Sequence, residues 1–110
     1  IKSPLNRASY LLKLQGVDAF DERDTSMDHD FLISQIELRE ELEVLKLKQN
    51  ADDLEDYLDK VEEHIQSKID LISDAFKESK ELMEIKKDVR ELKFYEQLLS
   101  ESSKLMDEWL

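Results

Sequence analysis

The side chains in this chain with the means to do chemistry are mostly carboxylates. Asp52, Asp53, Asp56 and Asp59 lie close together, as do Glu37, Glu40 and Glu41, and paired carboxylates are the raw material of general acid–base catalysis. That chemistry needs a pocket and a carboxyl whose pKa is raised. With 28 acidic residues among 110, helices bring carboxylates together by chance, so these read as solvated faces, with Asp56 and Lys60 as an i,i+4 ion pair. His29 and His64 have no second His at helical spacing and read as surface or boundary residues rather than metal ligands. The absence of Cys excludes a thiolate nucleophile, a disulfide and a Cys-held zinc or iron–sulfur cluster, which fits a reducing compartment. A single Gly excludes a Gly-rich phosphate loop. No catalytic residue, metal or cofactor is predicted, and an enzyme is the least favoured reading.

The elements that would carry any site are long helices. One Gly, one Pro and 40% charged residues leave too few turn residues for many short strands, and 110 residues suit one domain. Ser3 followed by Pro4 is a helix start, and the pattern runs to about Gln15, with Gly16 as the stop. Leu5, Ala8, Leu11 and Leu12, with Tyr10 beside them, give this first helix one side to bury. Residues 17–27 read as an acidic connector anchored by Val17 and Phe20. A second helix is predicted from Ser26 or Asp28 to about Gln49, with acids early and Lys46 and Lys48 late. Asn50 caps a third, whose core stripe is Leu54, Leu58, Val61, Ile65, Ile69, Ile72 and Phe76. After a break at Lys77 to Lys80, a fourth runs from about Glu81 to Glu108 on Leu82, Ile85, Val89, Leu92, Tyr95 and Leu99. Trp109 is expected to fray. The fold predicted is an all-α antiparallel three-helix bundle over residues 28–110, with a short additional N-terminal helix in residues 1–16.

The second helix has one apolar face too many. At about 100° per residue, Phe31, Leu38, Leu42 and Leu45 share one stripe, while Leu32, Ile33 and Ile36 point the opposite way with Glu40 among them. Phe94 falls opposite Val89 and Leu92 on the fourth helix, with Leu98 and Leu105 on its side. Since the second and fourth helices are expected to run parallel and adjoin, Leu32, Ile33, Ile36 and Phe94 are predicted to form one outward patch. Periodicity alone also allows ordinary scattered apolar residues, covered in part by the first helix.

Charge narrows the partner. A net charge of −12 lacks the basic footprint that nucleic acid or an anionic membrane surface requires, and no apolar run is long enough to span a membrane. A protein surface with basic groups remains. Ile1 in place of an initiator Met reads as a trimmed piece, with any targeting segment upstream. Burying three aliphatics and one Phe would contribute about 6–12 kcal/mol gross, against an association cost of about 4 kcal/mol or more. Micromolar, transient binding is the expectation.

SPLNRASYLLKLQG (Ser3 to Gly16), FLISQIELREEL (Phe31 to Leu42) and RELKF (Arg90 to Phe94) resemble, in order and spacing, the C-terminal domain of the HscB family, the J-type co-chaperones of iron–sulfur cluster biogenesis. The resemblance covers essentially the whole chain. Its second motif is the specific one, and Asn50 to Lys87 matches only in pattern. It implies a three-helix bundle that binds the IscU-type assembly scaffold, which a J domain brings together with HscA, an Hsp70-class chaperone. It places hydrophobic contacts on Leu32, Ile33, Ile36 and Phe94, and polar ones on Glu37, Glu40 and Lys93. Bacterial relatives commonly have Arg where this chain has Lys93, and Lys lacks bidentate pairing. The His-Pro-Asp tripeptide of a J domain is missing, the only Pro being Pro4, so this chain by itself is not expected to stimulate ATP hydrolysis. The first helix then leads out of a J domain upstream and packs on the bundle, and the closeness of the second motif to the bacterial form points to the bacterial cytoplasm rather than the mitochondrial matrix. Besides this adaptor reading, which allows weak self-association, stands a structural bundle or antiparallel coiled coil whose extra apolar stripe mediates self-association, marked by a tight dimer through Leu32 and Phe94.

Overall fold

The computed structural model describes residues 3–20, 29–79 and 81–109, and within them all regular structure is helical. Helix α1 spans Pro4–Leu14, α2 His29–Lys48, α3 Ala51–Lys77 and α4 Leu82–Trp109. The ends follow local chemistry. The Ser3 hydroxyl accepts from the Asn6 N–H and Pro4 takes the first turn. At the other end Gly16, at φ +82°, lets its own N–H reach the Lys13 carbonyl and the Val17 N–H reach the Leu12 carbonyl, a helix terminus that favours glycine. The Asn50 side chain accepts from the N–H groups of Asp52 and Asp53, so two residues suffice to end α2 and start α3. Gln49 and Ser79 carry the left-handed turns after α2 and α3 without being glycine. Ser26 and Asp28, the expected start of the second helix, lie outside the described residues.

Two cores sit side by side along the α3–α4 pair. In one, Phe31, Leu38, Leu42 and Leu45 of α2 pack on Leu54, Tyr57 and Val61 of α3 and on Phe94, Tyr95 and Leu98 of α4. In the other, Ala8 and Leu12 of α1, with Ala19 after it, pack on Ile72 and Ala75 of α3 and on Ile85, Val89 and Leu92 of α4. Ile65 touches both. At 1.5 Å per residue, α2 is about 30 Å long and α3 about 40 Å, so α2 leaves one end of the pair open and α1 closes it. Val17 and Phe20 pack against this second core, as anchors would.

Three expectations need correction. Phe94 is not on an outward face: it is only 7% exposed, with its ring edge-on to Phe31 at 5.6 Å. Its angular position opposite Val89 and Leu92 does not mean solvent, because α4 is packed on two sides, α1 against Val89 and Leu92 and α2 against Phe94 and Leu98. Lys60 pairs with Glu41 of α2 at 3.0 Å rather than with Asp56, since α2 brings a carboxylate across the groove. Trp109 remains helical and packs against the first core. Tyr10, by contrast, is about half exposed.

Polar groups fix the register between helices. The Tyr57 hydroxyl donates to the Leu38 carbonyl at 2.9 Å. Lys68 of α3 reaches Glu91 at 2.7 Å and Asp88 at 3.4 Å on α4, and Arg39 of α2 pairs with Glu101 of α4. His64 stacks on Tyr95 with ring centroids 4.9 Å apart and planes within 3°.

Burial, helped by the Glu41 carboxylate, holds the Tyr57 phenol well above its usual pKa, and burial raises Tyr95 as well. For Lys68, burial pulls downward, but the hydrogen bond and charge of Glu91, together with Asp88, outweigh it and the net shift is upward. All three groups hold their protons more tightly folded than unfolded. Their contribution is therefore complete below pH ~10 and is lost as the pH rises above it. Denaturant titrations should show stability falling from pH 9 to pH 11. Tyr57→Phe should cost about 1 kcal/mol near pH 7 through the lost hydrogen bond and make the alkaline fall shallower. Phe94→Ala should cost about 3 kcal/mol, read as a lower denaturation midpoint, whereas an outward Phe94 would leave the midpoint unchanged.

Candidate functional site

The outward side of α2 is the surface that the packing leaves over. With Phe31, Leu38, Leu42 and Leu45 facing the core, a turn of about 180° around the helix reaches Ile33 and Ile36, which are 43% and 58% exposed, with Leu32 beside them at 39%. Helix α1 packs on α3 and α4 and leaves these residues uncovered. Glu37 and Glu40 are exposed on the same side. Among the described residues no cation pairs with either, while the neighbouring Glu41 and Glu43 are taken by Lys60 and Lys46.

Five of the seven expected site residues thus share one exposed face, and two do not. Phe94 lies beneath α2, its ring edge-on to Phe31 and 5.5 Å from the Arg39 guanidinium. Arg39 is itself held by Glu101, so Phe94 supports the helix that carries the patch instead of presenting its own ring. Lys93 is turned to the connector, its ammonium 4.4 Å from the centre of the Phe20 ring, a cation–π distance. It is half-buried there, and no ion pair joins it to Glu37 or Glu40 among the described residues.

Sequence reasoning missed the far half of the same helix. Val44 and Leu47 are 47% and 86% exposed, and the signal for them was the unbroken three- and four-residue spacing from Ile33 through Ile36 and Glu40. Beside Val44 a cleft of about 460 Å³ opens between α2 and α3, lined in part by Glu41, Lys48, Asp53, Asp56 and Lys60.

Among the described residues no group of three or more His, Asp and Glu is placed to hold a metal ion. Burial raises the pKa of the Glu96 carboxyl, yet among the described residues no second carboxyl or nucleophile is hydrogen-bonded to it. No helix among the described residues is long and apolar enough to cross a membrane.

Residues 27–102 match the family model described as the HSCB C-terminal oligomerisation domain. A curated relative, the co-chaperone protein HscB homolog of Azoarcus sp. (strain BH72), is 34% identical over 101 residues, which is 92% of this chain and 57% of the relative. The chain therefore spans little more than half of that relative's length. The match takes in the whole of α2, with its two apolar faces, and most of α4, which carries Phe94. On that match, the chain belongs to the HscB C-terminal domain family.

Proposed function

We propose that this chain is the scaffold-binding part of an HscB-type co-chaperone acting in iron–sulfur cluster biogenesis, and that it docks an IscU-type assembly scaffold on the outward face of α2. Leu32, Ile33 and Ile36 make the apolar contact, with Glu37 and Glu40 as polar neighbours. The observation that carries this reading is that α2 holds two opposed apolar faces, of which the fold buries one. In this reading α2, α3 and α4 form an antiparallel three-helix bundle over residues 28–110, residues 17–27 are a connector, and residues 1–16 link the bundle to a J domain that recruits HscA. The compartment is the bacterial cytoplasm.

The buried position of Phe94 changes the energetics. Phe94 has little apolar surface left to lose, so the transfer energy rests on three partly exposed aliphatics, about 2–4 kcal/mol gross. Association costs about 4 kcal/mol or more. The complex is thus weak and transient unless further surface joins it, which suits a protein that hands its client on. Lys93 reaches the scaffold only by leaving the Phe20 ring.

The word oligomerisation in the family's description favours a second reading, in which two copies pair through this face. Sedimentation at increasing concentration separates the two: the adaptor reading expects a monomer that shifts on adding scaffold.

Calorimetric titration of purified IscU scaffold into this chain should show weak but saturable binding. The Leu32→Ala/Ile36→Ala variant, with unchanged helicity by circular dichroism, should bind at least tenfold more weakly. Equal affinity in that variant would remove the assignment.

A further inference from the structure

We infer that the docking surface does not end at Ile36 but runs the length of α2 to Leu47, and that it takes one continuous apolar segment of a single partner protein, with a cation of that partner set against Glu40. This rests on the scaffold-binding reading above and names the extent and chemistry of that same site.

Geometry makes the surface one object. Ile33, Ile36, Glu40, Val44 and Leu47 follow steps of three, four, four and three residues, which at about 100° each stay in one row. The row stands opposite the buried Phe31, Leu38, Leu42 and Leu45. Fourteen residue steps at 1.5 Å make it about 21 Å long. Leu47 is the most exposed of the large apolar residues among those described, and together with Val44 it presents nearly as much apolar surface as Leu32, Ile33 and Ile36 do. Three aliphatics alone fall short of the cost of association, and the second half of the row supplies what they lack.

Charge selects the occupant. Glu40 sits at the middle of the row and Glu37 at its edge, neither with a cation beside it among the described residues. Asp53 and Asp56 border the cleft next to Val44, also without an ion-pair partner. A second copy of this chain lying two-fold antiparallel on the row would bring Glu40 against its own counterpart, and each copy carries a net charge of −12. Like charges meeting in a desolvated contact oppose that pairing. A partner with an apolar stripe and a Lys or Arg at its centre satisfies both the row and the carboxylates.

The test uses the 110-residue chain and IscU as the probe, comparing Val44→Ala/Leu47→Ala, Glu40→Gln and Leu32→Ala/Ile36→Ala, with Leu71→Ala on α3 as an exposed apolar control. Expected are about tenfold weaker binding for Val44→Ala/Leu47→Ala, a flatter dependence of affinity on salt for Glu40→Gln, and no change for Leu71→Ala, with helicity unaltered throughout. Unchanged affinity in Val44→Ala/Leu47→Ala beside a loss in Leu32→Ala/Ile36→Ala would overturn the extension and leave the scaffold-binding reading standing. No binding by the unsubstituted chain would overturn both. A concentration-dependent dimer abolished by Val44→Ala/Leu47→Ala would overturn it too, by assigning the row to a second copy.

Discussion

Everything the outward surface of α2 can do depends on how Phe31 is seated. Its ring stands edge-on to both Phe94 and Tyr95, at 5.6 and 5.7 Å between centroids, an arrangement in which ring edges meet ring faces. This cluster sets the rotation of α2 about its own axis. Turning the helix by one residue, about 100°, would take Phe31 out of the cluster and bring Leu32 towards it. With Phe31 inward, Ile33, Ile36, Val44 and Leu47 must face solvent. The exposed row is thus the geometric complement of the core, fixed by a contact on the far side of the helix.

Unequal helix lengths explain why α4 is so thoroughly buried. Because α1 and α2 are each shorter than the α3–α4 pair, they divide it, and α4 must present apolar residues first to one and then to the other. Val89 and Leu92 answer α1, while Phe94 and Leu98 answer α2. Between them Glu91 is buried yet compensated by Lys68 at 2.7 Å. A pair this far from water gives little net stability but is costly to break, so it penalises any slip of α3 against α4. Tyr57 does the same between α3 and α2, its hydroxyl having one carbonyl within reach.

Helix positions were legible in the sequence because their signals are local. Ser3-Pro4, Gly16 and Asn50 act within a turn of themselves, and the stripe of Leu54, Val61 and Ile72 follows from spacing alone. The two faces of α2 were legible for the same reason. Phe94 was not, because its environment is decided by which helices flank α4, a tertiary fact that one helix's periodicity does not contain. Phase predicts the direction of a side chain, and burial also needs to know what stands in that direction. Lys60 was misread in the same way: Asp56 lies one turn away on the same helix, but Glu41 comes from α2. Lys93 likewise meets Phe20, 73 residues back along the chain. Val44 and Leu47 differ, since they continue a pattern already noticed at Ile33 and Ile36. The motif that carries the family resemblance ends at Leu42, whereas the helical phase continues unchanged through Val44 and Leu47.

An exposed apolar row invites aggregation, and its composition shows how that is contained. Glu40 interrupts the row at its midpoint, so no contiguous stretch is uncharged over its whole length. The remainder of the chain is acidic enough to keep copies apart at distances within a Debye length of about 8 Å. The same carboxylate that weakens self-association strengthens a contact with a partner bearing a cation at that level, by adding a charge-assisted hydrogen bond. Selectivity here needs no deep pocket. A straight ridge, apolar along its length and charged at one point, would suffice, since a partner that matched it would be apolar along its own length and basic at its centre. Because that ridge is convex, a partner docked on it would gain little buried area per contact and lose little by leaving, so such a contact would release as readily as it formed.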